Sequence, residues 1–197
     1  KNVIYKMLFK FIFYIISISA FLLDASHSSR TESIAELEKA LLTNYSTKFR
    51  PGLDNTGPLL VNMSANLVNV NEIDAIKGTI SVVMFFEVTW VDERLKWDPI
   101  KYDNISYLLL PSDDLWVPPL FLTNPTERIT SLAGKNVKVT LFPNGKIKYL
   151  PGEVIGASCF INITMFPFDT QECLIQFIPW GYTVADIETI ADPTPAG

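Results

Sequence analysis

The sequence predicts a mostly β fold, in which one N-terminal helix precedes an antiparallel β-sandwich. The chain has 197 residues, of which 48% are hydrophobic, enough for one domain with its own core. One early segment has the spacing of an amphipathic helix. Beyond residue 52, short runs of Val, Ile, Phe and Thr alternate with Gly, Pro, Asn and Asp, as in sheet proteins with many turns.

The first 25 residues have the features of a secretory signal peptide. Lysines precede the apolar run 11–23, and small residues follow it, which is the order of a signal peptide and its cleavage site. A membrane anchor is the alternative, but the run is shorter than the roughly 20 apolar residues of a spanning helix. We therefore expect 1–25 to be removed and 26–197 to form an extracellular domain.

Charge and composition argue against several classes of function. The formal net charge is −5, and removal of the lysine-containing leader would make it more negative, so nucleic acid is not an expected partner. The only histidine, His27, lies beside the predicted cleavage region. Histidine-dependent triads and most zinc sites therefore have no members in the folded part. We expect no enzyme activity, no catalytic residue, no metal and no cofactor.

The two cysteines of the chain, Cys159 and Cys173, enclose a ring of thirteen residues. In an oxidising compartment, two thiols alone imply one disulfide bridge. A bridge across a ring of this size stabilises the fold by roughly 3 kcal/mol through the unfolded state. Glycosylation sequons fit the same compartment and occur at Asn44, Asn62, Asn104 and Asn162.

The helix is predicted over residues 31–44. Ser33 is followed three residues later by Glu36, which is the pattern of a capping box at a helix start. One face of the helix is apolar and contains Ile34, Leu37, Ala40 and Leu41. This stripe predicts that one side of the helix is buried.

The remaining elements are predicted to be strands. The candidates are 59–70, 79–90, 105–110, 137–142, 147–150, 154–164 and 172–178. Pro143, Asn144 and Gly145 separate two of them and indicate a hairpin, because Asn and Gly tolerate the positive φ of tight turns. Many short strands with such turns favour a β-sandwich. The last residues, 192–197, have the composition of an exposed loop, so we expect the sandwich to be C-terminally incomplete.

The disulfide ring contains an unusually apolar turn. Its sequence is CFINITMFPFDTQEC, with Phe166, Pro167, Phe168 and Asp169 near the middle. The two phenylalanines could be buried inside the domain. However, the proline and aspartate beside them favour an exposed turn, and exposed aromatic residues on such a turn indicate a docking surface.

The ring resembles the signature of the Cys-loop receptors, the pentameric neurotransmitter-gated ion channels. Its thirteen enclosed residues and its Phe-Pro-Phe-Asp core occur together. The segment WVDERLKWDPIKYDNISYLLLPSDDLWVPPLFLTN, residues 90–124, resembles the nicotinic acetylcholine receptor branch, with its Trp-x-Asp, Leu-x-Trp, tyrosine and Trp-x-Pro-Asp pattern. The resemblance implies an extracellular helix and sandwich, and a ring that couples this domain to the channel domain.

The resemblance also implies a ligand site. Family members bind transmitter between adjacent subunits in a box of aromatic rings, where a cationic amine gains roughly 0.5 to 2 kcal/mol from cation–π contact. Trp180, seven residues after the second cysteine, matches the central tryptophan, and Tyr182 completes the Trp-x-Tyr pattern; a core tryptophan is the alternative. Phe85 matches the aromatic residue of the complementary face, or is an inward strand residue. Phe142 and Leu150 would lie on neighbouring complementary strands.

Two departures from the family pattern affect the expected role. Pro119 occupies the position of the aspartate in Trp-x-Pro-Asp, and loss of this carboxylate would rearrange the local loop. Thr123 occupies the position of a tyrosine in agonist-binding principal subunits, and it offers a hydroxyl without a π face. We therefore expect a poor principal face and an accessory or complementary subunit.

The leading hypothesis is the extracellular ligand-binding domain of a nicotinic-like channel subunit at the plasma membrane. Its partners would be an acetylcholine-like amine, homologous subunits in a pentamer, and the membrane through a channel domain. One alternative is a secreted pentamer resembling the molluscan acetylcholine-binding proteins, whose ring is more polar and one residue shorter. Another is an unrelated secreted adhesion or carbohydrate-binding sandwich.

Overall fold

The computed structural model describes residues 30–53, 57–129, 131–132, 134, 137–165 and 168–191. The predicted signal peptide, His27, Phe166, Pro167 and the final segment 192–197 lie outside these residues. The chain divides into two compact units. One unit comprises Lys1–Thr43 and Asp98–Ile105, and the other comprises Asn44–Trp97 and Ser106–Gly197.

The smaller unit contains the N-terminal helix, α1, over residues 30–42. Leu37 is fully buried, but Ile34 is 38% exposed and Ala40 is exposed, so only part of the predicted apolar stripe is buried. Ser33 lies inside the helix, because the three residues before it are also helical, so the proposed capping box does not mark the helix start. In the second segment of this unit, the Asp98 carboxylate accepts from the backbone N–H of Ile100 at 3.1 Å and begins a short 3-10 turn.

The larger unit is built from nine strands in its described residues. They are β1 (Leu59–Asp74), β2 (Thr79–Val91), β3 (Leu108–Pro111), β4 (Leu120–Leu122), β5 (Lys138–Leu141), β6 (Lys146–Tyr149), β7 (Gly152–Ser158), β8 (Phe177–Pro179) and β9 (Ile187–Ala191). Seven strands form one sheet in the order β3-β5-β6-β2-β1-β9, with β7 also paired to β2, while β4 and β8 form a second sheet. All pairs are antiparallel except β1 with β9. The mostly β prediction is therefore confirmed.

The structure corrects several strand predictions. Strands β4 and β9 were not expected: β4 is only three residues long and follows two prolines, and only one of the five residues of β9 is buried. The predicted strand 154–164 ends at Ser158, because the chain then enters the disulfide ring. Of the predicted strand 172–178, only the last two residues belong to β8.

The core lies between the two sheets. Phe86, Val88 and Trp90 alternate along β2 and are all buried, as expected for a strand with one face toward the core. The ring of Phe86 meets that of Phe177 on β8 edge to face, with centroids 5.2 Å apart. This contact joins the large sheet to the small one, and full burial of the Phe86 side chain contributes roughly 1.5–3 kcal/mol.

Candidate functional site

Trp180 lies on the surface directly after β8. Its side chain is 54% exposed, so it is not a core residue. Its backbone N–H donates to the carbonyl oxygen of Pro119 at 2.8 Å. Its indole lies beside the ring of Phe121 on β4, with centroids 5.8 Å apart and planes tilted by 50°. The sheet β4–β8 therefore presents two adjacent aromatic rings, and the role of Phe121 was not anticipated from the sequence.

Tyr182 points away from this surface pair. It is half-buried, and its ring meets the buried Trp116 edge to face, with centroids 6.3 Å apart. Trp116 in turn packs against Trp90 at 6.1 Å. Gly181 between the two predicted site residues has φ +80°, a conformation that favours glycine. The turn at Gly181 therefore separates an exposed tryptophan from a tyrosine that packs toward the core.

Thr123 follows β4 and lies at the other end of the β4–β8 ladder from Trp180. Both its backbone N–H and its hydroxyl donate to the carbonyl oxygen of Gln176, at 2.9 and 3.2 Å. Leu120 pairs with Pro179 and Leu122 with Phe177, so this ladder separates the two predicted site residues along the strands. The hydroxyl hydrogen of Thr123 is thus already used within the fold.

Phe85 lies on the outer face of β2. Its side chain is 53% exposed, whereas its neighbour Phe86 is 1% exposed, so Phe85 is not an inward residue. Phe85 pairs with Gly152 on β7. A Cβ placed on Gly152 would lie 2.3 Å from the Cε1 atom of the Phe85 ring. Gly152 therefore leaves the space in which this ring lies, a function that the sequence did not reveal.

Leu150 and Phe142 share the outer face with Phe85. Lys148 of β6 pairs with Thr140 of β5 and with Thr89 of β2, so these three side chains share one face. Every second side chain along a strand points to the same face. That face therefore includes the residues two positions after Thr140 and Lys148 and four positions before Thr89. Leu150 is exposed and Phe142 is half-buried. The three predicted complementary-face residues therefore lie on one side of the large sheet.

The disulfide ring is closed and presents an aromatic side chain to solvent. Cys159 and Cys173 are bonded, with Cα atoms 5.0 Å apart. Phe168 is 90% exposed. Inside the ring, the side-chain amide of Gln171 accepts from the N–H of Asn162 at 2.9 Å and donates to its carbonyl at 2.9 Å. It also donates to Asp169, so these bonds shape the turn that presents Phe168.

An ion pair joins the buried Asp92 to Arg94, whose side chain is 34% exposed. Asp92 is fully buried and accepts from the Arg94 side chain at 2.8 and 2.7 Å. The Tyr45 hydroxyl donates to Asp92 at 2.8 Å and accepts from the backbone N–H of Trp116 at 3.0 Å. The guanidinium of Arg94 lies 4.5 Å from the centre of the Tyr45 ring.

This arrangement also changes the ionisation of its members. Burial raises the pKa of the Tyr45 phenol far above its ordinary value. The hydrogen bond to Asp92 raises the pKa of the Arg94 guanidinium. The neutral phenol of Tyr45 and the charged guanidinium of Arg94 are thus the stable forms, and the phenol holds the backbone at Trp116. The Trp-x-Asp pattern was noted in the sequence, but its contact with Tyr45 was not foreseen.

All four predicted glycosylation asparagines are exposed, and they are Asn44, Asn62, Asn104 and Asn162. Within the described ranges, no three or more His, Cys, Asp or Glu side chains form a group suited to a metal ion. Over the same ranges, no helix has both the length and the apolar character needed to cross a membrane.

Comparison with known proteins agrees with this architecture. Residues 34–196 match the neurotransmitter-gated ion-channel ligand binding domain. The acetylcholine receptor subunit gamma of Gallus gallus is 32% identical over 79% of this chain and 30% of its own length. The neuronal acetylcholine receptor subunit alpha-6 is 31% identical in Mus musculus, over 83% of this chain and 33% of that protein. The chain spans about a third of the length of these relatives, which are receptor subunits and not enzymes. It belongs to the family of neurotransmitter-gated ion-channel ligand-binding domains.

Proposed function

We propose that this domain contributes to a transmitter site between adjacent subunits of a nicotinic-type pentamer at the extracellular face of the plasma membrane. The ligand would be a small amine cation of the acetylcholine class, because the relatives of the chain are named as acetylcholine receptor subunits. The single observation that carries the proposal is the ring of Phe85, which is 53% exposed on the outer face of β2. A cation over the face of such a ring gains roughly 0.5–2 kcal/mol.

The outer face of the large sheet supports a complementary role. Phe85 presents an exposed ring there, and Leu150 and Phe142 lie on the same side. An exposed aromatic ring with apolar neighbours is suited to contact a ligand held by the next subunit. This face carries each of the three side chains that the family resemblance implied.

The principal face of this chain is less suited to binding a cation than its complementary face. Thr123 lacks an aromatic ring, and its hydroxyl is bonded to Gln176. Tyr182 packs on Trp116 rather than standing beside Trp180. A principal face built from this chain would therefore offer fewer π faces than one with a tyrosine at residue 123. We infer an accessory or complementary subunit.

The disulfide ring would pass the bound state to the channel domain. Exposure of an apolar ring such as Phe168 to water is unfavourable, so its position on a stapled turn supports a docking role. Ligand binding would favour one of two domain arrangements, and the ring would communicate that preference. The same exposure argues against the secreted pentamer, since a ring without a membrane domain to contact has no use for this side chain.

The test is agonist binding to full-length receptors in which this subunit is co-expressed with a principal-type nicotinic subunit. Phe85→Ala should raise the dissociation constant of a labelled cholinergic agonist by roughly 2- to 30-fold, the loss of one cation–π contact. Tyr107→Ala, which removes an aromatic ring of similar exposure elsewhere, should leave it unchanged. Equal affinity in the wild type and Phe85→Ala would refute the complementary role.

A further inference from the structure

We propose that Asn124 is a positioning residue, a clamp that holds together the two ends of the disulfide ring and joins them to β4, the strand that carries Phe121. These ends are Ser158 and Leu174, which flank the two cysteines and are called the ring roots below. Asn124 stands one residue after Thr123 and is followed by Pro125, which excludes it as a glycosylation site. Its side chain lies where the chain enters the ring and where it leaves it. The clamp itself is independent of ligand; its effect on channel opening rests on the proposed function.

The side-chain amide of Asn124 uses both of its hydrogens. Its Nδ2 atom donates to the carbonyl oxygen of Ser158 at 3.0 Å and to that of Leu174 at 2.8 Å. Ser158 immediately precedes the first cysteine of the ring, and Leu174 immediately follows the second. One NH₂ group therefore bridges the two ring roots.

Two further hydrogen bonds join Asn124 to Ser158, the first of the two ring roots. The backbone N–H of Ser158 donates to the carbonyl of Asn124 at 2.8 Å, and its hydroxyl donates to the same oxygen at 3.1 Å. The Oδ1 atom of Asn124 is buried and has no hydrogen-bond partner among the residues that the structure describes. An acceptor left unpaired costs free energy, and a flipped amide would set this oxygen against two carbonyls. The side chain is thus positioned for its two donors.

The clamp connects the ring to the proposed ligand surface. The segment from Phe121 to Asn124 contacts Trp180 through the Phe121 ring and contacts Gln176 through Thr123. It reaches both ring roots only three residues later. A displacement of β4 at the aromatic pair would therefore move the point to which both roots are bonded.

The first test measures the disulfide in the full chain. In Asn124→Asp the shape is kept, but a carboxylate faces two carbonyl oxygens and has no hydrogen to donate. At neutral pH, reduction of the ring by a water-soluble phosphine should be about tenfold faster than in the wild type, because two hydrogen bonds are lost. Toward about pH 4 the protonated carboxyl regains one donor, so the difference should shrink.

Two further variants keep the result interpretable. Asn144→Asp makes the same chemical change in the hairpin, where the side-chain oxygen accepts from the N–H of Lys146 at 3.0 Å, and it should leave the reduction rate unchanged. Asn124→Ser removes both donors without adding charge, which covers the case in which Asn124→Asp does not fold. Wild-type reduction rates in both Asn124 variants, or equal acceleration in Asn144→Asp, would overturn the clamp.

A second test separates the clamp from the proposed function. In assembled full-length receptors, Asn124→Ser should leave the affinity of a labelled agonist within about twofold and reduce the fraction of channels that the agonist opens. If the disulfide is reduced faster but opening is unchanged, the clamp stands and its role in coupling is wrong. If no agonist binds even to the wild type, the proposed function fails while the reduction assay still tests the clamp.

Discussion

Replacement of Gly152 by alanine tests whether the Phe85 ring contacts ligand. The new Cβ would lie 2.3 Å from Cε1 and 2.6 Å from Cδ1 of that ring. Carbon atoms in contact are about 3.5–4.0 Å apart, so the ring must move by at least about 1 Å. Because Phe85 is half-exposed, it can rotate into solvent instead of straining the core.

The effect on stability should therefore be small and the effect on binding large. Overpacking costs roughly 1–3 kcal/mol in a closed core and less at this open position. Replacing glycine within a strand also returns roughly 0.5–1 kcal/mol of conformational entropy. We expect a free energy of unfolding within about 1 kcal/mol of the wild type. Displacement of the ring should raise the agonist dissociation constant by roughly 2- to 30-fold, as for Phe85→Ala.

A double-mutant cycle in co-assembled receptors tests whether Gly152→Ala weakens agonist binding through the Phe85 ring. Gly152→Ala and Phe85→Ala act on one ring, so the double variant should bind no more weakly than Phe85→Ala alone. Gly156→Ala on the same strand is the matched control, since its Cβ meets the hydroxyl of Thr126 at 2.7 Å and not Phe85. Wild-type affinity in Gly152→Ala, or fully additive losses, would refute the assigned position of the ring.

Three further outcomes are expected. Asp92→Asn should lower the free energy of unfolding by about 1–3 kcal/mol in chemical denaturation, because the buried side chain loses its charge-assisted hydrogen bonds with Arg94; unchanged stability would show that these bonds do not stabilise the fold. Burial raises the pKa of both Tyr45 and Tyr149 in the folded state. The stability that these neutral phenols give the fold is therefore complete below about pH 10 and is lost above it, by up to about 1.4 kcal/mol per pH unit for each tyrosine. Tyr149→Phe should reduce this loss of stability in alkaline denaturation curves. Thr123→Tyr should strengthen agonist binding at a principal face in assembled receptors, and unchanged binding would count against the accessory role.

The fold was largely predictable because its main signals are local. The apolar stripe of α1 and the alternation of Phe86, Val88 and Trp90 along β2 each follow from the period of one element. Strand β4 escaped prediction because three residues after two prolines carry almost no periodicity. Strand β9 escaped because only Ile187 is buried, so its parallel pairing with β1 left no pattern in its own sequence.

The site was only partly predictable because its contacts depend on register between distant strands. Spacing from the second cysteine led to Trp180, which the structure places on the surface. The same spacing gave no warning that Tyr182 packs on Trp116. Gly152 and Asn124 acquire their importance from partners on other strands. The residues next to Gly152 in sequence do not indicate that the Phe85 ring lies against it. Likewise, the residues next to Asn124 do not indicate that it bonds the two carbonyls at the ring roots.

The disulfide ring shows that closure and placement of a loop are separate tasks. The covalent bond lowers the conformational entropy of the unfolded chain and so stabilises the fold by roughly 3 kcal/mol. A single bond between two side chains nevertheless leaves the direction of the ring undetermined. Direction comes from neutral hydrogen bonds: those of Gln171 shape the turn that carries Phe168, and those of Asn124 orient the roots. An exposed aromatic residue is useful for docking only when its position is fixed before contact. The side-chain amides of Gln171 and Asn124 thus fix the direction of the ring, which the disulfide bond alone does not.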